Sequence, residues 1–229
     1  MIDRPPLVSV IMSAYNSKST IGESIESILS QSYQNIELLI CNDGSTDDTQ
    51  KILNSFQKKD SRVRLFKNPK NLGLTVSLNI LIAESKGVFI ARQDADDISL
   101  PERLEEQLKH CLVNNYQVVT SRSINKLNNK TMPRFSYFIP YKILIKFRNP
   151  FIHGTLVIKK ELLNKVGNYD ENFTYAQDYK LYRDLVDRRI KIKKIWKKLY
   201  ILNTVNNISN IFKSEQSYFA NCVKNRKKP

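Results

Sequence analysis

Apolar runs of strand length alternate with amphipathic segments along the first half of this chain. The segments place apolar residues at helical spacing, as Ile21, Ile25 and Ile28 do. Strands separated by helices need crossover connections, so the pattern predicts an α/β fold whose mostly parallel sheet is covered by helices on both faces. The predicted strands of this half are residues 7–12, 36–41, 63–66 and 87–91.

The alternation weakens beyond residue 115. Residues 122–150 have the composition of loops with short elements, and a strand over 155–159 then leads to helices over 161–166 and 177–188. These changes divide the chain into three parts, which are residues 1–114, 115–200 and 201–229.

A polar cluster follows each of three predicted strands, at residues 13–16, 42–44 and 94–97. In parallel sheets, ligands bind beyond the carboxyl ends of the strands. The three clusters should therefore converge on one rim of the sheet and form the ligand site.

The last of these clusters is acidic, since it contains Asp94, Asp96 and Asp97. Three neighbouring carboxylates repel one another and are costly to desolvate. A Mg²⁺ or Mn²⁺ ion that bridges them to a phosphate would remove this cost, because both ions prefer oxygen ligands. A solvated acidic turn that caps the next helix is the alternative.

The six glycines exclude several nucleotide sites. They form neither G-x-G-x-x-G nor G-x-x-x-x-G-K-[ST], so the usual dinucleotide and P-loop cradles are absent. No G-x-S-x-G element signals a serine hydrolase. A bound diphosphate would need another source of positive charge, which a cation held by Asp94 and Asp96 would supply.

The net charge of +15 is concentrated toward the end of the chain, where residues 180–229 contain fourteen Lys or Arg and three acids. Such a basic C-terminal extension favours an anionic membrane surface or nucleic acid, and a solubilising basic face is the alternative. Cys41, Cys111 and Cys222 are too scattered for a zinc site or disulfide framework and predict a reducing cytoplasm. Neither a bilayer span nor a signal peptide is expected.

Seven short motifs together resemble family 2 glycosyltransferases of the GT-A fold, over about residues 6–211. The resemblance implies a Rossmann-like sheet in which residues 1–114 bind a nucleotide sugar and residues 115–200 bind the acceptor. It implies inverting transfer of a sugar that is most often UDP-linked. The motifs are VSVIMSAYN at 8–16, NDGSTD at 42–47, NLG at 71–73, DADD at 94–97, PERL at 101–104, HG at 153–154 and QD at 177–178.

The resemblance also assigns donor-binding roles. Ser13, Tyr15 and Asn16 would flank the base, with the Tyr15 ring stacked on it, an interaction worth about 1–3 kcal/mol. Asp43 would accept a hydrogen bond from uracil, and Arg92 would reach the donor. The residues alone allow a core aromatic at Tyr15, a turn residue at Asp43 and a structural ion pair at Arg92.

The remaining roles concern the metal and the reaction. Asp94 would approach the ribose or the metal, Asp96 would bind the metal, and Asp97 would support them or cap a helix. Asp178 would be the catalytic base, with a pKa lowered by the helix terminus, unless it is merely a first-turn acid. His153 would lie near the diphosphate or the acceptor, or else be a packing residue.

Two positions depart from the family pattern, since Asn42 and Gln177 replace acids. No Q-x-x-R-W element appears, so a single sugar per encounter is expected. The predicted function is surface polysaccharide or lipooligosaccharide biosynthesis in the cytoplasm, peripheral on the inner face of the membrane. A glycan or lipid-linked acceptor and no nucleic acid are the expected partners. The alternative is a basic nucleic-acid- or membrane-binding module on a catalytically degenerate scaffold.

Overall fold

The protein, described from a computed structural model, folds around one sheet. The structure describes residues 5–205 and 211–229. The elements of these residues are β1 (Val8–Ala14), α1 (Ile21–Leu29), β2 (Ile36–Asn42), α2 (Thr49–Lys59), β3 (Val63–Lys67), α3 (Leu74–Glu84), β4 (Phe89–Arg92), β5 (Ile98–Ser99), α4 (Arg103–Val113), β6 (Val118–Asn125), β7 (Thr131–Met132), α5 (Tyr141–Leu144), β8 (Val157–Lys159), α6 (Lys160–Val166), α7 (Gln177–Asp187), β9 (Ile192–Leu202) and α8 (Lys213–Asn225), with 3₁₀ turns at Phe135–Tyr137 and His153–Thr155.

The strand order within the described residues is β3-β2-β1-β4-β8-β6-β9-β5, and β7 pairs with β6. The first four strands are mutually parallel, as the alternating pattern predicted. Strand β8 runs antiparallel to both β4 and β6, while β6 and β9 run parallel. Six of the nine strands therefore share one direction, which confirms the mostly parallel sheet.

The sheet separates two hydrophobic layers, because successive side chains of a strand point to opposite faces. Ile11 and Leu39 pack in the layer that contains α3, α6, α7 and α8. Val10 and Leu38 pack in the layer that contains α1, α2 and α4. Each fully buried side chain of this kind contributes about 1.5–3 kcal/mol relative to an exposed one. Helices on both faces were predicted, and the structure confirms them.

The C-terminal residues do not form a separate basic extension in the described part of the chain. The boundary expected after residue 200 falls inside β9, and α8 packs on the first layer. Cys222 and Val223 of α8 are buried, and the ring of Phe219 lies 6.1 Å from that of Phe173. This helix therefore belongs to the core of the domain.

Two long strands, β6 and β9, were not expected from the sequence. Ser121, Arg122 and Ser123 interrupt the apolar pattern of β6, and β9 contains four lysines, so neither segment has the period of a half-buried strand. The two strands pair with each other with a register irregularity at Arg122. Tertiary pairing therefore overrides the local pattern here.

Two expectations drawn from composition can be compared with the described residues. Cys41, Cys111 and Cys222 are buried and unbridged, as their spacing suggested. Within residues 5–205 and 211–229, every helix is too short or too polar to cross a bilayer.

Candidate active site

The carboxyl ends of β1, β2 and β4 meet at one edge of the sheet. The amide of Asp43, just after β2, donates to the carbonyl of Ala14 over 2.8 Å. The amide of Gln93, just after β4, donates to the carbonyl of Ile11 over 3.1 Å. The structure thus brings the three predicted polar clusters together.

The loop after β1 presents an aromatic ring at this edge. Tyr15 exposes 48% of its area, so it is not a core aromatic, while Ser13 at the end of β1 is half-buried. Asn16 has a φ of 48°, a left-handed conformation that asparagine tolerates better than most residues. Its side-chain oxygen accepts from the amide of Thr46 over 2.9 Å, so it fastens the loop after β1 to the loop after β2.

Asp43 is buried and organises a neighbouring loop. Its carboxylate accepts from the amides of Leu72 and Gly73 over 2.8 and 2.9 Å, and from the Asn68 side chain over 2.7 Å. A carboxylate offers about four acceptor positions, so most are used within the protein. Asp43 is therefore more than an exposed turn residue, and it holds the 71–73 motif at the rim.

Arg92 forms the structural ion pair that the sequence left open. The guanidinium is 1% exposed and binds the Asp94 carboxylate over 2.5 Å. Within the described residues its Nε atom has no hydrogen-bond partner. Because the pair occupies Oδ1 of Asp94, the other carboxylate oxygen is left for a ligand.

The other two acids of the cluster, Asp96 and Asp97, both have raised pKa values. Burial, and then the charge of Asp94, raises the pKa of Asp96 to about 6. Burial, and then the charges of Asp94 and Asp96, raise the pKa of Asp97 well above its ordinary value. Asp97 accepts from the amide of Asn203 over 2.6 Å and is not a helix cap, since α4 begins at Arg103. It joins the rim to the end of β9.

The acid cluster has the chemistry of an incomplete cation site. No group of three or more His, Cys, Asp or Glu among residues 5–205 and 211–229 is arranged to hold a metal by itself. Mg²⁺ commonly uses one or two carboxylates and completes its shell with substrate phosphates. The half-buried Asp94 and Asp96 fit that role, because two neighbouring carboxylates offer the oxygen ligands that these dications prefer.

A buried arginine that the sequence did not single out supports this cluster. Arg103 of α4 is fully buried and donates to Gln93 over 2.9 Å and to Ser99 over 2.6 Å. Its guanidinium lies 5.0 Å from the ring of Tyr200, whose hydroxyl accepts from the amide of Asp94 over 3.1 Å. The PERL motif contains this arginine, but only the fold brings Gln93 and Tyr200 to it.

Asp178 lies in the first turn of α7, which begins at Gln177, and its side chain is half-buried. The preceding Ala176 has a φ of 53°, and the side chain of Asn149 donates to Asp178 over 2.7 Å. Burial raises the pKa of Asp178, and the charge of Asp94 adds to this effect. The expected lowering by the helix terminus is therefore wrong, because burial outweighs the dipole, which is typically worth about 0.3–1 kcal/mol.

His153 is a half-buried, hydrogen-bonded side chain in the 3₁₀ turn before β8. Its Nε2 atom lies 2.7 Å from the hydroxyl of Tyr169. Burial, and then the charge of Arg92, lowers the pKa of His153 to about 3, so the ring is neutral. The next residue, Gly154, packs so closely on Tyr200 that any side chain would overlap its hydroxyl. These contacts agree with the packing alternative and leave the role at the diphosphate a prediction.

The two departures from the family pattern are both buried. The side-chain oxygen of Asn42 accepts from the amide of Ser45 over 3.0 Å, and its amide group donates to Gln50 over 2.7 Å. Asn42 therefore closes the turn after β2. Gln177 begins α7, directly before Asp178.

Comparisons with known proteins agree with this arrangement. The family model described as Glycosyl transferase family 2 matches residues 9–189. The chain is 40% identical over 170 residues to the protein EpsE of Bacillus subtilis (strain 168). This match covers 72% of this chain and 60% of the length of EpsE. It is 33% identical over 194 residues to WfaP of Escherichia coli, named a UDP-Glc:alpha-D-GlcNAc-diphosphoundecaprenol beta-1,3-glucosyltransferase, with 82% of this chain and 73% of WfaP covered. The chain belongs to glycosyl transferase family 2.

A solved structure extends the likeness to the fold. The mannosyltransferase PcManGT from Pyrobaculum calidifontis, in complex with GDP-Man and Mn²⁺, superimposes with a TM-score of 0.75 at 18% identity. The match covers 99% of this chain and 67% of PcManGT. The expected GT-A fold is thus confirmed.

Proposed function

We propose that this chain is an inverting glycosyltransferase that moves a single sugar from a UDP-linked donor to a glycan or lipid-linked acceptor. The observation that carries the proposal is the convergence of polar side chains at one edge of the sheet, where the carboxyl ends of β1, β2 and β4 meet. Asp178 supports it, since this half-buried carboxylate lies near enough to Asp94 for that charge to add to the effect of burial on its pKa.

The donor half uses the rim of the sheet. Tyr15 stacks on the base, Ser13 lies beside it, and Asp43 accepts from the uracil ring with its remaining acceptor position. Asn16 supports them by holding the loop after β1. The exposed ring of Tyr15 supports this assignment, and so does the UDP-Glc donor in the name of WfaP.

Asp96 and Asp94 are the proposed ligands of a Mn²⁺ or Mg²⁺ ion. When bound, the ion neutralises the charge of the departing diphosphate. Arg92 pairs with Asp94, and Arg103 donates to the backbone carbonyl of Arg92 over 2.7 Å, which supports the segment just before both acids. The Mn²⁺ ion of PcManGT supports the choice of a divalent metal.

Asp178 is the proposed base. It takes the proton of the acceptor hydroxyl while that oxygen bonds to the anomeric carbon and the bond from this carbon to the diphosphate oxygen breaks. The raised pKa of Asp178 supports the role, since a carboxylate of higher pKa is a stronger base. His153 lies nearby, at the diphosphate or the acceptor.

The acceptor is a lipid-linked saccharide in surface polysaccharide biosynthesis, at the inner face of the membrane. The diphosphoundecaprenol acceptor in the name of WfaP supports this choice. The nucleic-acid-binding alternative is not favoured, since the named relatives are glycosyltransferases.

An Asp178→Asn variant tests the proposal. Nucleotide-sugar turnover should fall by about 10²–10⁴-fold, the usual contribution of a general base, while donor affinity stays near that of the wild type. Turnover is measured with manganese on a panel of nucleotide sugars. Donor affinity is measured as UDP binding by calorimetry. Asp184→Asn, which alters a Lys180-paired acid of the same helix, is the matched control. Retained turnover in Asp178→Asn would require another base.

A further inference from the structure

An unusually apolar surface lies between β7 and β8 and on the adjoining part of β9. Phe135 and Phe138 expose 80% and 69% of their area, and Trp196 exposes 56%. Exposed basic side chains surround them. The aromatic-basic face consists of Phe135, Phe138, Ile139, Ile143, Phe147 and Trp196 together with Lys130, Arg134, Lys142, Lys146 and Arg148.

The side chains on the inner side of residues 141–151 pack in the hydrophobic core, so they are not part of this surface. Leu144 and Ile145 are buried, and the ring of Tyr141 packs on Phe151 at 5.5 Å. Residues 143 and 147 are four apart along the helical turns that follow Pro140, so they share the outer side. A contiguous apolar patch of this kind commonly marks a protein or membrane interaction site.

The aromatic end of the face is held in place. The ring of Trp196 lies 5.0 Å from Tyr137 and 5.5 Å from Phe138. Lys194 donates to the carbonyl of Tyr137 over 2.6 Å, which fastens the 3₁₀ turn to β9. These contacts join the turn that contains Phe135 and the neighbouring Phe138 to β9.

A cavity with a volume of about 260 Å³ opens beside these rings. Arg122, at its wall, is only 9% exposed, and its Nε atom has no hydrogen-bond partner in the described part of the chain. A buried donor without a partner is costly, so the site suits an anionic oxygen. The lining residues are Arg122, Lys130, Thr131, Arg134, Phe135 and Phe138.

The charge around the face has one sign. Residues 107–160 contain ten Lys or Arg and no Asp or Glu. Basic residues near an anionic leaflet each gain attraction to it, and aromatic rings favour the membrane interface. The surface therefore has the two properties that an anionic bilayer recognises.

We propose that the aromatic-basic face docks the protein on a bilayer that contains anionic phospholipid, with a lipid phosphate in the Arg122 cavity. The basic C-terminal residues fit this role less well, since Tyr200 is fully buried and Phe219 packs on Phe173. Strand β9 links this face to the proposed active site, since it contains both Trp196 and Tyr200, and the hydroxyl of Tyr200 accepts from the amide of Asp94 over 3.1 Å.

Trp196 is the only tryptophan of the chain, so its fluorescence reports on docking directly. The full chain should show a blue shift with vesicles of equimolar phosphatidylcholine and phosphatidylglycerol, reversed by salt, and none with phosphatidylcholine alone. The double variants F135S/F138S and K142E/K146E should each bind the anionic vesicles at least about tenfold more weakly in sedimentation assays.

Matched variants separate this face from the other basic surfaces. K58E/K59E on α2 and Y218S/K227E/K228E at the C-terminus should bind vesicles as the wild type does. Wild-type binding by F135S/F138S, or loss confined to the C-terminal variant, would overturn the proposal. An equal Trp196 response to inorganic phosphate, or a dimer in ultracentrifugation that F135S/F138S abolishes, would also overturn it. Asp178→Asn should dock normally, which keeps the outcome independent of the transfer reaction.

Discussion

At the scale of single residues, the candidate site depends on buried polar side chains that hold other polar groups. Arg103 supports the backbone around Asp94, Asp43 holds the 71–73 loop, and Tyr200 joins Asp94 to the β9 side. Burying such groups is costly unless each is hydrogen-bonded, so their networks permit few alternative arrangements.

The half-buried His153, whose pKa is lowered in the folded state, should make stability depend on pH. Its pKa is about 3 when folded, against an ordinary value of about 6.5, so between these values only the unfolded chain binds the proton. The contribution of His153 to the free energy of unfolding is therefore complete above about pH 6.5. It is lost as the pH decreases, by up to about 1.4 kcal/mol per pH unit. Urea unfolding at several pH values measures this slope.

The slope should be smaller in His153→Gln, which keeps a polar partner for Tyr169 and does not titrate. The other histidine of the chain, His110, supplies the control, since His110→Gln should keep the wild-type slope. An unchanged pH dependence in His153→Gln would show that other groups cause the acid sensitivity.

At the scale of elements, strands in the first half of the chain form where the local apolar pattern predicts them, whereas strands in the second half depend on tertiary pairing. Strands β1, β2 and β4 are buried along almost their whole length because helices cover both faces, and their apolar runs made them recognisable. Strand β6 contains polar residues and β9 is rich in lysine, so each becomes a strand through its partner. Helix α8 is amphipathic enough to join the core in spite of its basic surroundings.

Shortening one buried side chain of α8 tests whether this helix is part of the core. Val223 is 2% exposed, so Val223→Ala should lower the free energy of unfolding by about 1–3 kcal/mol through lost burial and a cavity. Val113→Ala, at a site that is 73% exposed, should change it by less than about 0.5 kcal/mol. Equal effects in chemical denaturation would mean that α8 does not pack as described.

At the scale of the whole molecule, two helical layers enclose a sheet whose rim gathers the charges. The first four strands position the proposed donor half, while β9 positions Tyr200 and the turn before β8 positions Gly154 beside Asp94. Separated segments of the sequence therefore contribute to one candidate site, and a ligand bound there should stabilise the entire domain.

Linkage between binding and folding tests this architecture together with the metal assignment. UDP with Mn²⁺ at a hundred times its Kd should stabilise the fold by about 2.7 kcal/mol, because the unfolded chain has no site. Chelation should remove most of this gain, and Asp96→Asn should do the same, as thermal unfolding would reveal. Glu26→Gln, an exposed acid of α1, serves as the control. Undiminished stabilisation of Asp96→Asn would exclude Asp96 as a metal ligand.

The sequence by itself determined the alternating first half, the polar residues at its strand ends and the motifs of the family. These features are local, since a strand's apolar run and a strand-end acid can be recognised without knowing their partners. Only the tertiary structure decided that Asp94 pairs with Arg92, that Arg103 and Tyr200 support the acid cluster, and that burial raises the pKa of Asp178. These properties come from desolvation and from contacts between distant segments, neither of which has a local signal in the chain.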